Sequence, residues 1–183
     1  MGKRFTSLND DHRAFIAKQS IFFAATAAPT GRINVSPRGA DAFRIVGDGE
    51  VAFLDRTGSG SETSAHLMAD GRMTIMFCAF EGAPNILRLY GRGMSLRRPS
   101  REYAEAVATL FGGDEPAGAR QVVKLAVELV QTSCGYGVPL FDFAGERPSL
   151  DNWATAKGEA GLAEYRREKN AASLDGLPTG FGA

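Results

Sequence analysis

The sequence contains few of the residues that most often carry metal, thiol or disulfide chemistry. Its 183 residues include two cysteines, two histidines and one tryptophan. Two cysteines cannot form a disulfide scaffold, and the cysteines and histidines show no spacing typical of zinc ligands. The formal net charge is zero, which argues against broad electrostatic binding of nucleic acid or of an anionic membrane surface. The low cysteine count fits a reducing cytoplasm, and we expect no metal site. No apolar run approaches the ~20 residues that span a bilayer.

Common catalytic motifs are also incomplete in this chain. The segment Gly58-Ser59-Gly60 lacks the third glycine of a dinucleotide fingerprint, because Thr63 stands at that position. A P-loop requires a lysine after its glycines, and none follows this segment. The G-x-S-x-G motif of serine hydrolases is absent. A thiol nucleophile at Cys134 would need a base, for which His12 and His66 are the candidates. We therefore identify no catalytic acid, base or nucleophile.

The most informative stretch runs from Leu54 to Thr63, where a strand pattern passes through a loop rich in glycine and hydroxyl groups into a helix pattern. We expect Gly58 and Gly60 to let the backbone turn sharply. The first N–H groups of a helix are unpaired and the helix dipole is positive there, so such a loop can bind a phosphate. It can equally be an ordinary turn in which Ser61 caps the helix, and the residues alone leave both interpretations open.

The wider pattern predicts a mainly β protein. The 22 glycines and 12 phenylalanines suggest strands with bulky inward side chains, joined by tight turns. Residues 121–130 have helical propensity, but their apolar residues alternate with a period of two from Val123 to Leu129, which favours a strand. Six or seven such strands indicate a closed or partly closed antiparallel barrel. The tail predicts two helices broken at Gly158.

Arg38 follows a proline at the end of a predicted strand. Pro37 cannot donate a hydrogen bond to a neighbouring strand, so it predicts a strand end or an edge strand. A guanidinium there could neutralise a bound phosphate. Arginines also lie at protein surfaces in water, and that alternative stays open.

Taken together, the sequence blocks resemble the pyridoxamine 5'-phosphate oxidase-like family of FMN-binding split barrels, in a branch distinct from the true pyridoxamine-phosphate oxidases. One block is the loop rich in glycine, serine and threonine between Leu54 and Thr63, which we call the Gly/Ser/Thr loop. The other blocks are residues 34–39, 43–54, 65–67, 72–80, 86–93 and 133–139. The resemblance implies a six-stranded antiparallel split barrel that works as a homodimer, with one FMN in each groove at the subunit interface. Residues 1–140 would form the FMN-binding domain, and residues 141–183 a C-terminal helical extension packed on it.

The resemblance also implies a set of cofactor-binding residues. The basic residue that approaches the phosphate corresponds to Arg38, and hydroxyls of the loop supply the other phosphate ligands. The backbone before Arg38 would run under the isoalloxazine ring. Asn85 and Arg88 would lie near the ring or at the edge of the partner subunit. The complete set is Val35, Ser36, Pro37, Arg38, Ser59, Ser61, Thr63, Asn85 and Arg88.

Two departures from the family pattern bear on function. Oxidases of the family usually carry an Arg-Lys pair after the loop serine, whereas Glu62-Thr63 stands here, which predicts weaker FMN binding. Residues 170–183 contain no Arg or Lys, which argues against a vitamin B6 phosphate substrate. The sequence thus predicts an FMN-dependent oxidoreductase acting on an unidentified small molecule. The alternatives are a reductase that uses deazaflavin F420, or a non-enzymatic flavin carrier or sensor.

Overall fold

One curled antiparallel sheet of eight strands forms most of the molecule, as the computed structural model describes it for residues 2–182. The sheet order is β3-β2-β6-β7-β8-β5-β4, and β1 pairs with β8. The strands are β1 (Lys3–Phe5), β2 (Ile21–Ala27), β3 (Ile33–Gly39), β4 (Phe43–Ile45), β5 (Glu50–Arg56), β6 (Arg72–Cys78), β7 (Ile86–Arg97) and β8 (Ala119–Ser133). Six of them are seven or more residues long and two are three residues long, so the predicted mainly β split barrel is confirmed.

Four α-helices and one short 3-10 turn (Ala40–Ala42) accompany the sheet within residues 2–182. The helices are α1 (Asp10–Ile16), α2 (Glu62–Ala69), α3 (Arg101–Leu110) and α4 (Ser149–Lys169). None of these helices combines the length and the apolarity that crossing a bilayer requires.

Four phenylalanine rings fill the centre of the curled sheet. Phe22 of β2 lies 5.3 Å from Phe43, 5.4 Å from Phe53 and 5.8 Å from Phe77 between ring centroids. Burying each such ring contributes about 1.5–3 kcal/mol, and the tilted ring pairs add directional contacts. The core therefore holds β2, β5 and β6 in fixed relative positions. β5 contains Asp55 of the candidate site, and β2 pairs with β3, which contains Arg38.

The long strand β8 confirms the period of two, with one irregularity. Val123 and Leu125 are buried whereas Lys124 and Ala126 face outward. A bulge beside Tyr90/Gly91 shifts the register, so Val130 is buried where the simple alternation predicts Leu129. Gly91 is required there, because a Cβ at that position would lie 1.9 Å from the carbonyl oxygen of Ala126.

The predicted break in the C-terminal helical region is confirmed. Gly158 has φ 64° and ψ 171°, which divides α4 into two helical segments. Trp153 of the first segment packs edge-on against Tyr165 of the second, with 5.2 Å between ring centroids. Lys157 Nζ lies 5.6 Å and 5.3 Å from these two ring centroids. The aromatic pair thus bridges the break and fixes the angle between the segments.

Candidate functional site

β3 forms one edge of the sheet and exposes an apolar row. Among residues 2–182, no strand pairs with its outer side, as Pro37 predicts. Ile33 is 76% exposed and Val35 is 59% exposed, whereas Asn34 and Ser36 are half-buried. The strand therefore offers free backbone groups and apolar side chains outward, and a row of polar side chains inward.

The inward row of β3 contacts the start of α2. Asn34 Nδ2 donates to Thr63 Oγ1 and to Thr26 Oγ1, each at 3.4 Å. Ser36 Oγ donates to Asn34 Oδ1 at 3.1 Å. Next to them, His66 Nδ1 lies 3.0 Å from Thr26 Oγ1 in a buried pair. The sheet thus places the polar residues of β3 beside the Gly/Ser/Thr loop, and His66 is held by a structural hydrogen bond.

Arg38 points into the protein and is not a solvated surface arginine. Its side chain is 18% exposed and forms an ion pair with Asp55 at the end of β5. Its guanidinium lies 4.8 Å from the centroid of the Phe53 ring. Arg38 Nε is buried and has no hydrogen-bond partner among the described residues. The cation predicted for the site is therefore present, but its guanidinium is already paired with a carboxylate.

Asp55 collects three side-chain donors in the interior. Besides Arg38, Arg120 Nε donates to Asp55 Oδ2 at 2.8 Å and Gln121 Nε2 donates to it at 2.6 Å. Burial by itself raises the pKa of Asp55, but the charges of Arg120 and Arg38 and the hydrogen bonds from Arg120 and Gln121 outweigh it and hold that pKa well below the ordinary range. Asp55 is therefore ionised at neutral pH, and the cluster carries one net positive charge.

Arg120 is a site residue that the sequence reasoning missed. Its guanidinium also donates to the carbonyl oxygen of Gly60 at 2.7 Å and to Asn170 Oδ1 at 3.0 Å. It thereby links Asp55, the Gly/Ser/Thr loop and the C-terminal segment. The available signal was a pair of charged residues inside or beside apolar strand patterns, Asp55 in β5 and Arg120 in β8, because such residues are almost never buried unless paired.

The Gly/Ser/Thr loop differs locally from the expectation. The chain bends at Ser59, but neither Gly58 nor Gly60 has a positive φ, so the backbone conformation does not require glycine there. Ser61 stands at the N-cap of α2, but its side chain makes no capping hydrogen bond. Its Oγ instead donates to the carbonyl oxygen of Ala172 at 3.5 Å. The first turn of α2 therefore lacks the usual side-chain cap.

The C-terminal strap, which we define as residues 170–182, covers this loop. Asn170 Nδ2 donates to the carbonyl oxygen of Gly58 at 3.0 Å, and Ser64 Oγ donates to that of Thr179 at 2.7 Å. Under this cover Ser61 is 3% exposed and Thr63 is 4% exposed, whereas Ser59 is exposed. Of the three expected phosphate-binding hydroxyls, the structure leaves one accessible.

A flavin phosphate does not fit the loop in this arrangement. The strap contacts Ser61 and Ser64, and Thr63 is buried against Asn34 of β3. The carboxylate of Glu62 folds back so that a Cβ at Gly60 would lie 2.7 Å from Glu62 Oε2. The guanidiniums of Arg38 and Arg120 are both engaged with Asp55. The ring-binding part of the expected site, along β3, is open, whereas the phosphate-binding part is closed.

Asn85 and Arg88 lie away from the other candidates within one chain. Arg88 is in register with Met76, Phe23 and Pro37 across β7, β6, β2 and β3. Three strand spacings separate it from Pro37, about 14 Å along the sheet. Arg88 Nη1 donates to Ser133 Oγ at 3.1 Å, and Asn85 accepts a backbone hydrogen bond from Ala79. The structure does not bring these two residues together with the loop.

A cavity of about 1160 Å³ opens at the Gly39 end of β3, whereas the loop contacts β3 at Asn34. Aromatic residues contribute much of its wall, and Phe80 and Phe141 pack together at 5.5 Å between ring centroids. Lys18, Glu81 and Arg147 also line it. Within residues 2–182, no group of three or more His, Cys, Asp or Glu side chains is arranged to hold a metal ion.

Known proteins share both the sequence pattern and the fold. A family model described as pyridoxamine 5'-phosphate oxidase matches residues 8–134. The Aspergillus flavus protein ustO, described as a pyridoxamine 5'-phosphate oxidase family protein, is 39% identical over 190 residues, which cover 95% of this chain and 76% of ustO.

Two solved structures show the same fold at low sequence identity. A variant of HupZ from Group A Streptococcus has a TM-score of 0.56 at 19% identity, over 68% of this chain and 98% of that chain. A pyridoxamine 5'-phosphate oxidase-related, FMN binding protein from Nostoc punctiforme has a TM-score of 0.52 at 15% identity, over 74% of this chain and 89% of that chain. With the family match over residues 8–134, these findings show that the chain belongs to the pyridoxamine 5'-phosphate oxidase family.

Proposed function

We propose that this protein is an FMN-binding oxidoreductase that acts as a homodimer on a small organic substrate. The observation that carries the proposal is the free edge of β3, which presents its backbone and an apolar row at the place where the family resemblance expects the flavin ring. Family membership and the FMN-binding name of one structural neighbour support it. Residues 1–140 would form the cofactor-binding domain, and residues 141–183 its extension.

The proposed ring site uses the backbone of Val35, Ser36 and Pro37. An edge strand has N–H and C=O groups free to hydrogen-bond the polar rim of a flavin, and β3 has such an edge. The redox chemistry would be that of the flavin, while the protein binds it, orients it and limits access of water.

The charge cluster around Asp55 supports binding of an anionic cofactor. Arg38 and Arg120 contribute two positive charges and Asp55 one negative charge, so one positive charge remains beneath the loop. In a site shielded from water this charge acts more strongly than it would at the surface. It offsets in part the loss of the Arg-Lys pair that Glu62-Thr63 replaces.

The cavity at the Gly39 end of β3 is the proposed place for the substrate. Its aromatic wall suits an aromatic or aliphatic body, and its charged rim suits a polar group. The cavity reaches the end of the proposed ring strand, so a substrate bound there would lie beside the flavin ring.

Titration of the purified protein with FMN tests this function. We expect quenching of flavin fluorescence on binding, and anaerobic bleaching of the bound flavin by NADH or NADPH. Arg38→Lys keeps the charge but not the planar fork, and we expect it to weaken FMN binding roughly tenfold. Arg101→Lys, at an exposed arginine of α3, is the matched control and should leave binding unchanged. Absence of FMN binding to the folded protein would contradict the proposal.

A cofactor-free role is the second candidate, and the closed loop favours it. The carboxylate of Glu62 and the strap occupy the place where a phosphate would bind, as in a family member that has become a sensor or structural protein. Deazaflavin F420 also carries a phosphate and needs the same space. A thermal-shift panel of FMN, riboflavin and F420 separates the cases, because a ligand that binds the native state raises the melting temperature.

A further inference from the structure

The C-terminal strap is an ordered element folded on itself. Thr179 Oγ1 donates to the carbonyl oxygen of Asn170 and, at 3.1 Å, to that of Ala171. The backbone N–H of Ser173 donates to Leu177, and Ala172 pairs with Pro178 as an isolated bridge. The strap therefore has a defined hairpin-like shape, and it is this shape that covers Ser61 and Ser64.

Mainly polar contacts hold the strap, together with the half-buried ring of Phe181, whose centroid lies 5.0 Å from the Arg120 guanidinium. The three buried residues of the strap are Asn170, Ser173 and Thr179, and no apolar side chain of residues 170–182 is buried. Leu174 is largely exposed. Segments fastened by few buried apolar contacts open at a low free-energy cost, and water can replace the hydrogen bonds that are lost. The strap can thus open without unfolding the barrel.

The strap places a carboxylate where an anionic ligand would bind. Asp175 Oδ2 accepts from the backbone N–H of Arg32 at 2.7 Å, and Asp175 Oδ1 forms an ion pair with the Arg32 guanidinium. Backbone N–H groups and guanidiniums are also the donors that bind phosphate. The strap also covers the N-terminal turn of α2 through Ser61 and Ser64. The neighbouring Leu174 N–H donates to Glu62 Oε1 at 3.4 Å, so the strap holds the Asp175 carboxylate on the side of the loop, where it occupies donors of the kind that a phosphate uses.

We propose that the C-terminal strap is an autoinhibitory element that closes the Gly/Ser/Thr loop, and that the phosphate of a flavin nucleotide enters only when the strap opens. The proposal rests on the proposed function for the identity of the ligand. Ligand and strap compete, because the strap backbone at Ala172 occupies the space above Ser61 and Asp175 occupies the donors of Arg32. The flavin ring, which needs neither, binds along β3 in both states.

The competition predicts a difference between FMN and riboflavin, which lacks the phosphate. Asp175→Asn weakens the strap and removes its charge, and Thr179→Val weakens it without any change of charge. We expect each variant to bind FMN roughly fivefold more tightly, the factor that corresponds to one such polar contact, and to bind riboflavin unchanged. Glu168→Gln, an exposed carboxylate just before the strap, is the matched control and should change neither affinity.

Amide hydrogen exchange reports the strap itself. We expect Thr179→Val to accelerate exchange at residues 61–67, and saturating FMN to accelerate exchange at Ser173 and Leu177 in the unmodified chain. A gain in FMN affinity in Asp175→Asn but not in Thr179→Val would overturn the proposal, because charge alone would then explain it. Strap amides that stay protected in the FMN complex would overturn it as well.

Failure of the proposed function gives a different result. If neither FMN nor riboflavin binds, the flavin role is wrong, and amide hydrogen exchange alone then tests whether the strap closes the loop. Faster exchange at residues 61–67 in Thr179→Val then supports a closing strap, and unchanged exchange overturns it.

Discussion

Asp55 determines where the positive charges of the site lie. It is buried and receives hydrogen bonds from Arg38, Arg120 and Gln121, so it holds two guanidiniums beneath the loop. In the absence of that carboxylate the two cations would repel each other in a space with little water. The residue that makes a positively charged site possible is thus an acidic one.

We expect Asp55→Asn to destabilise the protein by about 3–5 kcal/mol, because it leaves the buried guanidinium of Arg120 and the partly buried one of Arg38 without a counter-charge. The pKa of Asp55 is lower in the folded chain than in the unfolded chain. Its contribution to the free energy of unfolding is therefore fully present above the unfolded-state pKa and is lost as the pH falls toward the folded-state pKa. The stability difference between the wild-type chain and the variant should therefore shrink below about pH 4.

Urea unfolding from neutral pH down to about pH 3 measures this difference. Asp151→Asn is a suitable control, because Asp151 is an exposed carboxylate paired with one arginine. A stability difference for Asp55→Asn that stays constant over this range would contradict the assigned charge state.

The sequence predicted the structural role of a residue well where that role depends on local chemistry. It predicted the role poorly where it depends on partners that are distant along the chain. Pro37 predicted an edge strand because a missing N–H is a local property. The expectation that Arg38 faces a phosphate did not include Asp55, which is 17 residues away. Arg120 is 65 residues from Asp55, and the two meet because β5 pairs with β8. Such pairings depend on sheet register, which one sequence does not reveal.

At the scale of secondary structure, Gly158 breaks α4 by adopting a backbone conformation that would be strained in other residues. Its positive φ lies in a region that residues with a Cβ rarely adopt, and the resulting break lets Trp153 meet Tyr165. Gly161, three residues later, has ordinary helical surroundings, where a Cβ would make a normal contact of 3.6 Å with Lys157. The two glycines therefore have opposite roles in one helix.

We expect Gly158→Ala to destabilise the protein by about 1 kcal/mol or more, and Gly161→Ala to stabilise it by up to about 1 kcal/mol. The reason is that alanine is strained at positive φ but favours a regular helix. Thermal unfolding of both variants measures the effect, and each serves as the control for the other. Changes of the same sign would show that α4 is continuous.

Strand and helix types were predictable because they follow from periodicity, whereas the bulge in the sheet and the ordered C-terminal strap were not. The alternation of β8 identified a strand, and Gly158 marked a helix break. The bulge at Tyr90/Gly91 was missed, because Leu129 and Val130 are both apolar and hide the change of phase that the extra residue causes. The order of the strap was not predictable either, because it comes from polar contacts with a loop more than 100 residues away.

At the scale of the whole molecule, the exposed apolar row of β3 is the surface at which the proposed homodimer would form. An unpaired edge with exposed Ile33 and Val35 favours uncontrolled association unless another surface protects it. A second copy of the chain, as proposed above, would provide that protection.

We expect Ile33→Glu to weaken the proposed dimer roughly a hundredfold, because an unpaired carboxylate buried at an apolar interface costs about 3 kcal/mol. Light scattering coupled to size-exclusion chromatography measures the mass across a dilution series. Leu150→Glu, at an exposed leucine of α4, is the control and should leave the mass unchanged. A wild-type chain that is already monomeric, or a variant that stays dimeric, would show that β3 is not the interface.

The single indole of the chain has a practical consequence. Trp153 packs against Tyr165 in the helix that leads into the strap, and the sequence contains no second tryptophan to mask its emission. A displaced C-terminus would shift that emission, and an isoalloxazine bound nearby would quench it by energy transfer. The protein thus contains its own optical reporter, suited to stopped-flow recording without any attached dye.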